Sequence, residues 1–358
     1  MTLESPVVFS ADVEIYEDDE EQTIADINEA FDTILERTAK DYGYAVRAVH
    51  AKSHAVLEGT MTVKSGLPPE LSQGLFANPG THKVFMRIST NAGDILPDAV
   101  SLPRGIALKV VDARGPRLPN AEGSAQDFVM VNGPIFQAPT AKKFLASLKM
   151  LAKTTDRLEG TKKTLSTMLQ GVNTALETVG LASPTIQSMG GAPNVDALGE
   201  RYFSVTPFRY GDYIAKFSLT PVSKNLTNLT GRAIDAAYRE DAIRETVQAD
   251  MNHLSGEWEF QVQLCRDLLK QPIEDPTVEW DEKDAPFATV ATVHTDPQDS
   301  WAAEQVRKVD REMRFSIWTG LEAHRPLGNI NRARNATYKH SAIFRAGFNR
   351  CPIHEPGE

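Results

Sequence analysis

The feature that most constrains this chain is a series of short segments rich in β-branched residues, each closed by a turn-forming cluster, between about residues 45 and 136. HKVFMRIST (82–90) and RGIALKVVDARG (104–115) are the clearest, set among SGLPPE, NAGDILPD and GPRLPN. Such runs are strands and such clusters are turns. Within 82–90, strand parity puts Val84, Met86 and Ile88 on one face and Phe85, Arg87 and Ser89 on the other. A charge, a hydroxyl and an aromatic ring therefore leave one strand in the same direction. Taken alone, that face reads as solvent-exposed, because charged residues mostly are. Strand-like sequence returns at 202–222 and near 256–266. Residues 140–190 read as helical, and 183–200 as a Pro/Gly/Ser-rich connection. Residues 23–42 carry Ile24, Ile27, Phe31, Ile34 and Leu35 at helical spacing, with the acidic stretch Glu17 to Glu21 where a helix N-terminus favours negative charge. The Pro- and Asp-rich stretch 271–299 reads as loop, followed by a helix from about Trp301 and a second from about Ser316. This order, β-rich then helical then β then helical, predicts an α+β fold with an antiparallel sheet and a single domain over 1–358.

Composition narrows the function classes. A net charge of -10 argues against general nucleic-acid binding, which needs a basic surplus. No apolar run approaches the ~18 residues of a membrane span. The acidic N-terminus lacks the basic-then-apolar pattern of a secretory signal, and two cysteines, Cys265 and Cys351, make no disulfide framework. A cytoplasmic protein is expected. There is no GxGxxG, GxxxxGK[ST], HExxH, GxSxG or CxxC motif. His50 and His54 have metal-ligand spacing for a helix but lie in strand-like sequence, where that spacing loses its meaning.

Four blocks carry the chemistry: RAVHAKSHAVLEG (47–59), FMRIST (85–90), LPRGIALKV (102–110) and FVMVNGPIF (128–136). In this order and with these gaps they resemble the haem catalases, whose strands read R-x-V-H-A-K-G, V-R-F-S-T, D-P-R-G-F-A-V-K-F and N-x-P-I-F-F. Farther on, 278–306 and RFSIWTGLEAHRPLGNIN (314–331) resemble the family's later segments, the second its proximal helix R-x-F-x-Y-x-D-x-x-x-x-R-L-G-x-N. The likeness covers roughly 40–145 and 275–331. It implies a catalase-like antiparallel β-barrel wrapped by helices, without the C-terminal flavodoxin-like domain of larger catalases. A helical N-terminal arm (1–44), a helical insertion (140–200) and proximal helices (300–350) complete the implied layout.

The resemblance also implies roles. His50 corresponds to the distal histidine, which moves a proton between the peroxide oxygens, general acid–base work suited to imidazole. Asn132 corresponds to the distal asparagine that places the peroxide, and Ser89 to the hydroxyl that orients the imidazole. Arg47, Arg87 and Arg325 correspond to the arginines that pair with the haem propionates, and Val49, Phe136 and Phe144 to apolar contacts. Because Arg47 and His50 have opposite strand parity, the chain must bend between them to serve one pocket. The resemblance implies haem b as cofactor and a peroxide or small hydroperoxide as substrate, and leaves a homo-oligomer open.

One position departs. The family's axial ligand is a tyrosine preceded by an arginine four residues earlier, which lowers the pKa of its phenol. On the alignment of 314–331, Arg314 fills the arginine position and Trp318 the ligand position, and indole cannot bind iron. Tyr338 lies 20 residues on and does not align; His324 sits off that helical face. Three readings stay open: haem with another residue, water or nothing on its proximal side; an alignment off by a turn, with another group as ligand; or a haem-free pocket for a small hydrophobic molecule. A haem-dependent peroxidase is the leading function. The alternatives are a lipid or organic hydroperoxide isomerase or lyase on the same fold, or a non-catalytic binding protein.

Overall fold

The computed structural model describes residues 3–154 and 193–356. The rest of the helical stretch expected beyond 154, and the first part of the 183–200 connection, lie outside the described residues. Nine strands form one antiparallel sheet: β1 Ser53–Val63, β2 Gly80–Thr90, β3 Arg104–Val110, β4 Gln126–Val131, β5 Tyr202–Phe203, β6 Phe208–Tyr210, β7 Tyr213–Pro221, β8 Gly256–Leu264 and β9 Phe287–Thr295. Their order is β5-β4-β3-β2-β1-β9-β8-β7-β6, and β5 pairs with β7 as well as β4. Eight strands thus close a barrel, and β6 folds back on β7 as a hairpin. Closure leaves no exposed edge and an interior just wide enough for side chains.

Parity fills that interior. Leu57, Met86, Leu108 and Phe128 are register partners across β1 to β4 and are at most 1% exposed. Phe128 and Phe76 meet Phe260 with ring centroids 4.6 and 5.3 Å apart, contacts worth about 0.5–1.5 kcal/mol each beyond area burial. His324 joins the same cluster, its Nε2 accepting from the Leu75 amide at 2.9 Å. Burial pushes His324 down to about 3 and holds the fully buried His54 well below its ordinary 6.5. The unfolded chain therefore takes up protons that the folded one refuses. The stability these histidines contribute is intact above pH 6.5 and is lost as pH falls below it. Unfolding free energy should fall by about 1.4 kcal/mol per pH unit for each histidine between roughly pH 6 and 4, read from urea midpoints. A flat profile over that interval would contradict the burial of both rings as neutral groups.

The other face of β2 is not solvent. Phe85, Arg87 and Ser89 are 2–3% exposed, because helices cover the outside of the barrel. Helices α1 Glu20–Tyr42 and α2 Ala141–Thr154 pack with a long C-terminal helix through Ile27, Phe31, Leu148, Ile330 and Ala333. A shorter helix, α3 Ala242–Met251, lies elsewhere on the barrel, and the long one is α4, Asn329–Asn349. The two cysteines are unbridged. Among the described residues no helix is long and apolar enough to cross a membrane.

Three expectations need correction. The stretch 271–299 is not all loop: FATVATVHT within it is β9, which joins β1 to β8 and without which the barrel would not close. The helix expected near Trp301 is a single turn, Ala303–Gln305, running into a π-helical turn, Val306–Arg311. No helix begins at Ser316. Residues 316–321 are tied down as a loop against β4: Asp127 Oδ2 accepts from the Ser316 amide, Gln126 Oε1 accepts from the Leu321 amide, and the Thr319 and Gly320 carbonyls accept from the Asp127 and Leu118 amides. A short 3-10 turn, Glu322–His324, follows, then Pro326, and α4 starts only after Gly328, whose φ of 85° suits glycine.

Candidate active site

Two contiguous cavities, of ≈ 70 and ≈ 360 Å³, lie between the outer face of β2–β4 and the helices above it. His50, Val49, Phe31, Val129, Thr337 and Tyr338 line both. The barrel side supplies His50. Residues 45–52 are not strand, β1 begins at Ser53, and the bend required between Arg47 and His50 is present, with His50 at φ 53°. Positive φ is unusual for a non-glycine residue and is held here by a dense local network. The His50 amide donates to the Asn91 carbonyl, Arg87 Nη2 donates to the His50 carbonyl at 2.9 Å, and Nδ1 lies 3.0 Å from Ser89 Oγ. Nδ1 is thus the ring nitrogen occupied among the described residues, which leaves Nε2 for the cavity. Burial, with Arg87, Arg334 and Arg47 nearby, pushes His50 down to about 3, so the ring is neutral at ordinary pH.

Gly105 of β3 makes room for this ring. A Cβ there would stand 2.4 Å from His50 Cε1 and 2.8 Å from Nδ1. Nothing in the sequence patterning singles Gly105 out beyond its place in the PRG block. Gly105→Ala should fold, at a cost of about 1–3 kcal/mol for the overpacking, but with His50 displaced. The check is the His50 ring resonances, which should lose the Ser89 hydrogen-bond signature; unchanged resonances would contradict the packing.

Asn132 lines the larger cavity, and its amide is fixed on two sides: Oδ1 accepts from the Arg104 amide at 2.8 Å, and Nδ2 donates to Glu200 at 2.6 Å. Because a backbone N–H can only donate, the flip state of the side chain is determined, and the second Nδ2 hydrogen is not used by these partners. Phe136 and Phe144 line the same cavity, their centroids 5.6 Å apart.

The helix side differs from the expected alignment. Trp318 lies in the loop anchored to β4 and lines neither cavity. Arg325 does not line them either; it pairs with Glu14 at 3.5 Å. Arg314 does reach the smaller cavity, but its charge goes to Glu122 and Glu355. The wall facing the barrel is α4. From it Tyr338 enters both cavities, and Arg334, one helical turn earlier, donates to the phenol oxygen at 3.1 and 3.3 Å. Two turns further on, Arg345 lines the smaller cavity beside Arg47 and Arg87. The sequence offers one signal for this pair, the spacing Arg-x-x-x-Tyr at 334–338.

These three arginines form a cationic edge around Asp310, which the π-helical turn presents. Arg87 Nε and Arg47 Nη1 donate to one Asp310 oxygen at 2.6 and 3.0 Å. Desolvation opposes the Asp310 charge, but Arg87 and Arg47 outweigh it and hold the carboxyl down at about 2. Among the described residues no cluster of three or more histidine, cysteine and carboxylate side chains could hold a metal ion.

Comparison with known proteins agrees on the fold. No family model matches the sequence, and no curated relative does. Among solved structures, a fungal catalase superposes with a TM-score of 0.62 at 14% identity over 90% of this chain and 64% of its own. A bacterial catalase gives 0.60 at 16% identity, over 91% and 63%. Catalase A from Saccharomyces cerevisiae gives 0.62 at 16%, over 90% and 66%. The chain thus spans just under two thirds of their length and has the catalase-like fold.

Proposed function

We propose that this chain is a haem-dependent, peroxide-processing oxidoreductase whose distal residues are His50, Ser89 and Asn132 and whose proximal ligand is Tyr338. The observation that carries the reading is the Arg334–Tyr338 pair. A tyrosine oxygen that accepts from two nitrogens of one guanidinium would suit an anionic ligand to a haem iron, and it stands on the helix that faces His50. This takes up the reading in which the alignment is displaced and removes Trp318 from the metal. The rest of the cavity fits a tetrapyrrole: Val49, Val129, Phe136 and Phe144 offer apolar walls. Arg47, Arg87 and Arg345, in place of Arg325, offer the cations that two buried carboxylates require.

When bound, haem supplies the iron and the redox capacity for O–O cleavage. The chain supplies position and proton transfer. Neutral His50 accepts a proton at Nε2 from one peroxide oxygen and returns it to the other, while Ser89 and the Arg87-held backbone keep the ring in place. The spare Asn132 hydrogen orients the peroxide. The apolar lining contributed by Ile27, Phe31 and Ile135 favours a second reading beside hydrogen peroxide, an alkyl hydroperoxide. Haem-loaded protein should consume peroxide and oxidise a reducing dye. Comparing hydrogen peroxide with cumene hydroperoxide separates the two substrates, and haem-loaded protein inert toward both would contradict the function.

A further inference from the structure

Among the described residues, three guanidiniums and one carboxylate meet at the cationic edge of the cavity. Arg47 and Arg87 both bind Asp310, and Arg345, 6% exposed, comes in from α4. Burial holds Arg47 well below its ordinary range, with Arg87 and Arg345 adding to the effect, and pulls Arg345 down to about 10, Asp310 only partly offsetting it. The cluster is therefore short of negative charge. Asp310 also sits where two spaces meet. It lines a wide cleft of ≈ 930 Å³ that shares Arg47 and Arg345 with the cavity. Asp310 belongs to the π-helical turn Val306–Arg311, a rare element that is frequent at functional sites.

We infer that Asp310 is a resident counter-ion: it holds Arg47 and Arg87 in their ligand-ready positions when the cavity is empty, and it competes with any carboxylate-bearing ligand for the same donors. The inference rests on the proposed function for the kind of ligand, a planar dicarboxylate, but it concerns charge and does not involve iron. An incoming carboxylate gains donors from three arginines and loses energy to Asp310, a like charge a few ångströms from where it must sit. The protein gives up some affinity and in return keeps its arginines ordered without ligand.

The test uses metal-free protoporphyrin IX and its dimethyl ester as probes, with binding followed by fluorescence and thermal melting. Asp310→Asn keeps the shape and removes the charge. It should lower the dissociation constant for the diacid by roughly tenfold and leave that for the diester unchanged. The ligand-free variant should melt lower than wild type and gain more from the diacid. Asp310→Ser should repeat the pattern and guards against an asparagine that merely misfolds. Wild type that binds the diacid, with both variants binding it equally or more weakly, overturns the inference and leaves the haem reading standing. Equal tightening of the diester overturns the electrostatic account. Wild type that binds neither porphyrin overturns both inference and reading.

Discussion

Tyr338→Phe is expected to change the haem complex more than any other single substitution. The phenol oxygen is the anionic donor proposed for the iron, and phenylalanine keeps the ring while removing that oxygen. Haem affinity should fall by tenfold or more, about 1.4 kcal/mol for each decade. The absorption spectrum should lose its phenolate-to-iron charge-transfer feature. Arg334 would lose the oxygen to which it donates at 3.1 and 3.3 Å and keep Asn331 Oδ1 as an acceptor. The informative control is Trp318→Phe. Trp318 is held by the loop that packs on β4 and lines no part of the cavity, so this variant should bind haem with an unchanged spectrum. If Trp318→Phe alters the spectrum and Tyr338→Phe does not, the proximal assignment reverts to the alignment read from 314–331.

His50→Ala should act on turnover and spare binding. The imidazole is not a proposed ligand, and its contacts are to Ser89 and the backbone. Removing a positioned proton carrier costs roughly 10²–10⁴-fold in rate, while haem content should match wild type. The alternative result, haem loss with residual turnover per haem unchanged, would mean that His50 only shapes the cavity.

How much of this was legible in the residues depends on what each element buries. Strand parity in 82–90 separated the barrel interior from the outer face correctly, because one side of each strand meets only apolar neighbours. The outer face misled because Arg87 is buried under helices distant in sequence, paired with Asp310 223 positions away. β9 was hidden by the Pro- and Asp-rich sequence around it, although its own residues alternate as a strand should. Helix α4 was hardest. α4 buries Asn329, Asn331, Thr337, Ser341 and Arg345 among Ile330, Ala333 and Ala342, so polar residues interrupt the apolar period that marks a helix. The segment 314–331 meanwhile resembles the family pattern, although its Trp318 lines neither cavity. Long-range hydrogen bonds to Asp127 and Gln126 hold residues 316–321 as a loop, and no local pattern reveals partners 189 and 195 positions away. His50 and Ser89 meet because they belong to compact blocks on neighbouring segments, which the β1–β2 register brings together.

The central claim is a single site that holds haem between His50 and Tyr338, and titrating haem into the purified protein tests it most directly. The expected result is a Soret band that saturates at one haem per chain, with phenolate-type features that disappear in Tyr338→Phe. Binding that never saturates, or a spectrum that the Tyr338→Phe change leaves intact, would contradict it.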